Sequence, residues 1–131
     1  MNPDNNVKQL SSSPELSLVS AAVEDYFEGM YRGDVARLRR VFHPQAMLYG
    51  YRDGAFTVLQ MHEWLGKVAK RPIPAQNGEP FEMFIESIDL TGNVGHVKVR
   101  DLYMGLRFTD YLNMVKLEGR WQIVNKTFHH D

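Results

Sequence analysis

Apolar residues recur along this chain with two different periods, and the change of period divides it into a helical half and a strand half. From Ser13 the pattern is helical. Val19, Val23, Tyr26, Phe27 and Met30 fall on one stripe. Ser13-Pro14-Glu15 is a helix start, with a hydroxyl cap, a proline in the first turn and an acid near the positive end of the dipole. Gly33, after Arg32, suits the left-handed residue that ends a helix. Asp34 caps a second, short helix, VARLRRVF, which Pro44 is expected to stop; His43 is read as capping its carbonyls. Ala46 to Val58 reads as two short strands around Arg52-Asp53-Gly54. A third helix is expected from about Gln60 to Lys70, with Met61, Trp64, Leu65 and Val68 inward. Arg71 to Pro80 is rich in proline and reads as a loop.

Beyond Phe81 the period is two. Phe81–Leu90, Val94–Tyr103, Gly105–Leu117 and Arg120–His130 read as an antiparallel meander with tight turns at Gly92-Asn93, Met104-Gly105 and Glu118-Gly119. Two-residue turns pair Ile88 with Val97, Glu86 with Val99, Val99 with Asp110, Val97 with Leu112, Met114 with Ile123, Asp110 with Thr127 and Phe108 with His129. All three turns then put Ile88, Leu90, Val97, Val99, Phe108, Leu112, Met114, Trp121 and Ile123 on one face. The fold expected is α+β: a curved, mostly antiparallel sheet wrapped as a cone around three N-terminal helices.

In this register the last hairpin is apolar near its turn and polar at its far end, like a pocket wall. Asp110 is expected to meet Thr127 directly and Asn125 and His129 diagonally, with Asp101 and Tyr103 on the next strand. An aspartate beside a histidine is a unit for general-base work. Asp110 alone is the other candidate base, because Val99 and Leu112 make an apolar setting that raises a carboxylate pKa. A satisfied polar cluster that merely ties the sheet to the helices is the competing reading. Tyr26 is a candidate oxyanion donor, or a core tyrosine, and Trp64 a core residue or a flat wall for an aromatic ligand. Tyr51 and Arg52 are candidates for holding a planar or anionic ligand, or are simply exposed. The candidate catalytic residues are therefore Asp110, His129 and Tyr26. The candidate ligand contacts are Tyr26, Tyr51, Trp64, Asp101, Tyr103, Asn125 and Thr127.

Composition narrows the alternatives. The 131 residues suit one domain, with a tail over 1–13 and the domain over 14–131, and 44% are hydrophobic, enough for a core. The formal net charge of −1 gives no footprint for nucleic acid or a membrane surface. There is no cysteine, which removes disulfides, thiolate metal sites and cysteine nucleophiles. The histidines at 43, 62, 96, 129 and 130 show no metal-ligand spacing, and no phosphate loop or serine elbow is present, so neither metal nor cofactor is expected. No apolar signal segment is evident near the start, and the expected location is cytoplasmic. The outer face of the last hairpin, with Tyr111 opposite Lys126, Thr109 opposite Phe128 and Asn113 opposite Val124, is too apolar for bare solvent. A homodimer through the outer sheet is expected.

The segments VEDYFEGMYRGDVARLRRVFHPQAMLYGYRDG at 23–54, EWL at 63–65 and FTDYLNMVKLEGRWQIVNKTFHHD at 108–131 carry a resemblance. They resemble the nuclear transport factor 2-like superfamily, also called SnoaL-like or cystatin-like, and within it a bacterial subgroup labelled putative lumazine-binding. Scytalone dehydratase, ketosteroid isomerase and the polyketide cyclases share that fold. The resemblance implies a cone-shaped pocket, dimers through the outer sheet, and a ligand-binding domain without cofactor. The alternatives are a cofactor-free dehydratase, isomerase or cyclase, or an association module whose pocket is filled.

Overall fold

The computed structural model describes residues 13–131; the tail expected over 1–13 lies, up to residue 12, outside the described residues. Helix α1 spans Pro14–Arg32. The Ser13 hydroxyl accepts the Glu15 amide at 3.2 Å, a cap of the kind whose loss costs about 1 kcal/mol. Gly33 closes the helix at φ 62°, as its position predicts. Helix α2 is Val35–Val41, capped by Asp34, whose Oδ1 accepts the Arg37 amide at 3.1 Å. The sequence reading fails at its end. Strand β1, Phe42–Arg52, begins at once and runs through Pro44. His43 caps no helix carbonyl; its Nδ1 accepts the Gln45 amide at 3.0 Å. Strand β2 is Ala55–Gln60, α3 is Met61–Lys70, and the proline-rich loop contains one 3-10 turn, Pro74–Asn77.

The meander follows as β3 Met83–Thr91, β4 Val94–Tyr103, β5 Leu106–Leu117 and β6 Arg120–His130. One six-stranded sheet has the order β2-β1-β6-β5-β4-β3, with β1 parallel to β6 and every other pair antiparallel. Its apolar face packs on the three helices. Val19, Val23, Tyr26 and Phe27 of α1 meet Val97, Val99, Leu112 and Ile123 of the sheet in one core. The expected face is confirmed: Val97, Val99, Phe108, Leu112, Met114, Trp121 and Ile123 are buried, with Ile88 and Leu90 packed against them.

The turns at Asp53-Gly54, Met104-Gly105 and Glu118-Gly119 all have positive φ at both residues, the geometry that matches strand twist in a two-residue hairpin. Met104 is costly at φ 56°, and Glu79 offsets it: its carboxylate accepts the amides of Met104 at 3.1 Å and Gly105 at 2.6 Å.

Two bulges correct the expected register. Met114 faces Ile123 as expected, but Asn113 then faces Asn125, which leaves Val124 as an extra residue in β6. Every later residue of β6 is turned over. Asp110 faces Phe128 rather than Thr127, Phe108 faces His130 rather than His129, and Tyr111, Thr109 and Asn113 face Thr127, His129 and Asn125. In β3, Glu86 is the extra residue, so Ile85 rather than Glu86 faces Val99.

Candidate functional site

The bulge at Val124 determines which side chains of β6 enter the cone. Lys126 and Phe128 point inward; Asn125, Thr127 and His129 point out. One inner row runs Leu48, Lys126, Leu112, Val97, Ile88 across β1, β6, β5, β4 and β3. The next runs Gly50, Phe128, Asp110, Val99, Ile85. A Cβ on Gly50 would collide with the Phe128 carbonyl oxygen and ring, so the glycine makes room for that inward phenyl.

The structure thus parts the expected base pair: Asp110 and His129 lie on opposite faces of the sheet. His129 is exposed and lies beside Tyr51, ring centroids 6.5 Å apart. Tyr51 is also outside, against Phe56 at 5.7 Å, so it is not a pocket contact on this face. Asn125 and Thr127 share that outer surface, where Asn125 accepts from the Asn113 amide group at 3.3 Å.

What the structure does bring together is Tyr26, Asp101, Asp110 and Lys126. The Tyr26 hydroxyl donates to Asp110 Oδ2 at 2.7 Å. Lys126 Nζ is 3.9 Å from the same oxygen, with both side chains nearly sealed from solvent at 6% and 0% exposure. Three aromatic faces surround that ammonium: Trp64 at 4.7 Å, Tyr26 at 5.1 Å and Phe128 at 5.7 Å to the ring centroids. Asp101 is buried beside Asp110, and neither of its oxygens, nor Asp110 Oδ1, meets a protein donor. Two ionised carboxylates only accept and cannot satisfy each other. Burial first, and the Asp110 charge second, push the Asp101 carboxyl well above its ordinary range, with Lys126 opposing. That shift favours the protonated form of Asp101, whose O–H can serve the neighbouring carboxylate. Burial, then the two acids, likewise push the Tyr26 hydroxyl up, so it stays a donor.

In front of this cluster opens a cavity of about 470 Å³. Met30, Trp64 and Lys67, with Arg71 just past the end of α3, form one wall, and Arg52, Asp53, Thr57 and Leu59 of the β1–β2 hairpin form the rim. Tyr103, Phe108, Lys126 and Phe128 form the sheet side. The Asp53 amide donates to His130 Nε2 at 2.8 Å, which ties the rim to the end of β6. Of the expected contacts, Trp64 and Tyr103 line the cavity. Tyr26, Asp101 and Asp110 lie behind it, and Lys126 is the member of their cluster that reaches it. The sequence reading missed Lys126 and Phe128 by placing both outside. Among the described residues, no group of three or more His, Asp or Glu is arranged to hold a metal ion. No helix there is long and apolar enough to cross a membrane.

Similarity to known proteins agrees with this architecture. Residues 14–129 match the family described as putative lumazine-binding. The chain is 32% identical over 128 residues to the aldolase FrzH of Cladobotryum sp, covering 93% of this chain and 95% of that one. An NTF2-like protein of unknown function from Shewanella baltica OS155 superposes with a TM-score of 0.80 at 26% identity, over 89% of this chain and 94% of that one. One from Methylobacillus flagellatus KT, at 22% identity, shares the fold with a TM-score of 0.82 over 92% and 94%. The chain belongs to the putative lumazine-binding family, within the nuclear transport factor 2-like superfamily.

Proposed function

We propose that this domain binds a small aromatic or apolar carbonyl compound in its cone cavity, and that Lys126 polarises the carbonyl oxygen for enolisation or aldol-type chemistry. The family, the fold and the cavity support a ligand-binding domain. One observation carries the chemistry: a nearly sealed lysine, set among three aromatic rings and backed by Asp110, reaches the cavity. Lysines are seldom buried, and one aimed into a cavity is placed to stabilise charge that develops on a bound oxygen. Asp110, fixed by the Tyr26 hydroxyl, holds the lysine in place from behind. The relative named an aldolase fits this reading, since aldol chemistry passes through an enolate or its equivalent. We assign the α-proton to Asp53, the one carboxylate among the described residues that lines the cavity.

A second reading is binding without turnover. It is favoured by the burial of Tyr26 and Asp110, which no ligand atom touches unless the core opens. The filled-pocket association module is disfavoured by the open volume.

Two measurements separate these readings. A thermal-shift screen of flavins, pterins, steroids and aromatic polyketides is run on wild type and Lys126→Met. A ligand at a hundredfold excess over Kd adds about 2.7 kcal/mol to wild-type stability. Hits are then incubated in deuterium oxide, and NMR follows exchange at the carbon next to the carbonyl. Lysine-dependent exchange supports the enzyme, and binding without exchange leaves the binder. No shift with any compound removes the ligand reading.

A further inference from the structure

We infer that the compound this cavity takes carries an anionic group, held at the mouth by Arg52, Lys67 and Arg71. The inference rests on the ligand-binding reading above and adds the substrate class.

The charged groups lining the cavity are Arg52, Lys67, Arg71, Lys126 and one acid, Asp53. This excess is local, because the whole chain has a formal net charge of −1. Several cations elsewhere are answered by acids. Arg37 pairs with Asp25 at 3.0 Å, Arg100 with Glu86 at 3.0 Å, Arg107 with Glu82 at 2.8 Å and Lys116 with Glu15 at 2.6 Å. Lys126 has Asp110. Among the described residues, Arg52, Lys67 and Arg71 enter no ion pair; Arg39, Arg40, Lys70 and Arg120 are also unpaired, but they lie outside the cavity, whereas Arg52, Lys67 and Arg71 gather around its lining.

The arrangement is directional. Trp64 and Lys67 are spaced i, i+3 on α3, and Arg71 is the extended residue that follows its last turn, so the wall leads from an aromatic floor to two cations at the helix's C-terminal end. The helix dipole favours cations in that last turn, and Lys70 is among them. The dipole does not choose a face, and Lys67 and Arg71 are the ones on the cavity wall. Arg71 is half-buried with its guanidinium carbon 5.8 Å from the Tyr103 ring centroid, so it borders an apolar wall. Arg52 is half-buried on the opposite rim. A guanidinium beside low-dielectric surface binds a carboxylate, sulfonate or phosphate more strongly than one in open water. A flat body against Trp64 and Phe128, with its anion at the rim and its carbonyl toward Lys126, satisfies the whole lining.

A matched dye pair tests this. 1-Anilinonaphthalene-8-sulfonate and N-phenyl-1-naphthylamine share one ring framework, and only the first is charged. Fluorescence titration should show the sulfonate binding wild type about tenfold more tightly. Arg71→Gln and Lys67→Gln should each weaken the sulfonate several-fold and leave the neutral dye unchanged, which also shows that the variants fold. Added salt should weaken the sulfonate alone. Leu59→Trp, which fills the cavity, should remove both signals. Displacement by 2-naphthoate and 2-naphthyl phosphate ahead of neutral 2-acetylnaphthalene supports the inference, and the better displacer identifies the anion. Equal affinity for the two dyes would overturn the anion requirement and leave the ligand cavity standing. Binding of neither dye above the Leu59→Trp level overturns both.

Discussion

The Asp110 carboxylate accepts the Tyr26 hydroxyl at 2.7 Å, joining helix α1 to strand β5 across 84 residues of sequence. The same oxygen faces the Lys126 ammonium at 3.9 Å. Asp110→Ala removes both partners at once, stranding a buried lysine charge and a buried hydroxyl. The cost should be about 3–5 kcal/mol in urea unfolding. Adding Lys126→Met removes the stranded charge, so the double variant should be more stable than the single one. If the second change only adds its own cost, the two residues are not coupled.

Asp101 makes stability depend on pH. Burial and the Asp110 charge raise its carboxyl well above the ordinary 3.8, so the folded chain keeps a proton that the unfolded chain releases. Stability from this group is complete below that ordinary value and is lost as pH rises through the folded one. Asp101→Asn keeps the shape and a donor toward Asp110, and it does not titrate. Relative to that variant, wild type should lose stability as pH climbs from about 4, by at most about 1.4 kcal/mol per pH unit. A difference that stays flat with pH would mean that Asp101 is not the protonated partner.

Glu15 works in the opposite sense. Its carboxylate accepts Lys116 Nζ at 2.6 Å and Trp121 Nε1 at 2.7 Å, which fastens the first turn of α1 to the β5–β6 hairpin. The Lys116 hydrogen bond, then that of Trp121, lowers its carboxyl below the ordinary 4.5. This contribution is present above that ordinary value and disappears as pH falls through the folded one. Glu15→Gln should be less stable than wild type at neutral pH, and the gap should close in acid. Trp121 emission should shift in the variant. An unaltered acid limb would show that the bridge contributes nothing.

The elements and turns of this fold were legible because each has a local cause. Ser13-Pro14 starts a helix, Gly33 ends it, and the Xaa-Gly pairs set two-residue turns. The site was less legible because it depends on an extra residue in a strand. Trp121 and Ile123 are inward at odd positions, whereas Lys126 and Phe128 are inward at even ones. That change of parity is present in the sequence, and a bulge is its cause; Met83 and Ile85 against Ile88 and Leu90 show the same change in β3. Val124 and Phe128 looked like apolar residues on an outer face when they were the mark of a slip. Lys126 was harder still. A lysine reads as surface until its counter-ion and its aromatic cage, drawn from α1, α3 and β6, are assembled in space.

Gly50 tests whether Phe128 needs its place. Gly50→Ala forces a methyl against the Phe128 carbonyl and ring, and a backbone atom cannot step aside. The loss should be about 1–3 kcal/mol, with weaker ligand binding because Phe128 lines the cavity. Wild-type melting and binding in this variant would show that the β1–β6 pair yields more readily than the geometry implies.

The outer face of the sheet carries an aromatic row. Register places Val58, Tyr49, Thr127 and Tyr111 in one continuous row across β2, β1, β6 and β5. Beside it stand Tyr51 and Phe56, exposed at 49% and 63%. The bulge that sends Lys126 inward also replaces a charge at the middle of this face with Thr127, leaving a surface low in charge and rich in aromatics. Such a face suits a two-fold contact with a second copy, in which each protomer presents the same row. Light scattering at micromolar concentration should give about twice the 15.1 kDa chain mass. Thr127→Arg puts a charge at the centre of the row and should return the protein to monomer without changing its urea midpoint in the monomeric range. A species of single-chain mass at every concentration would exclude the dimer, and the aromatic row would then need another partner.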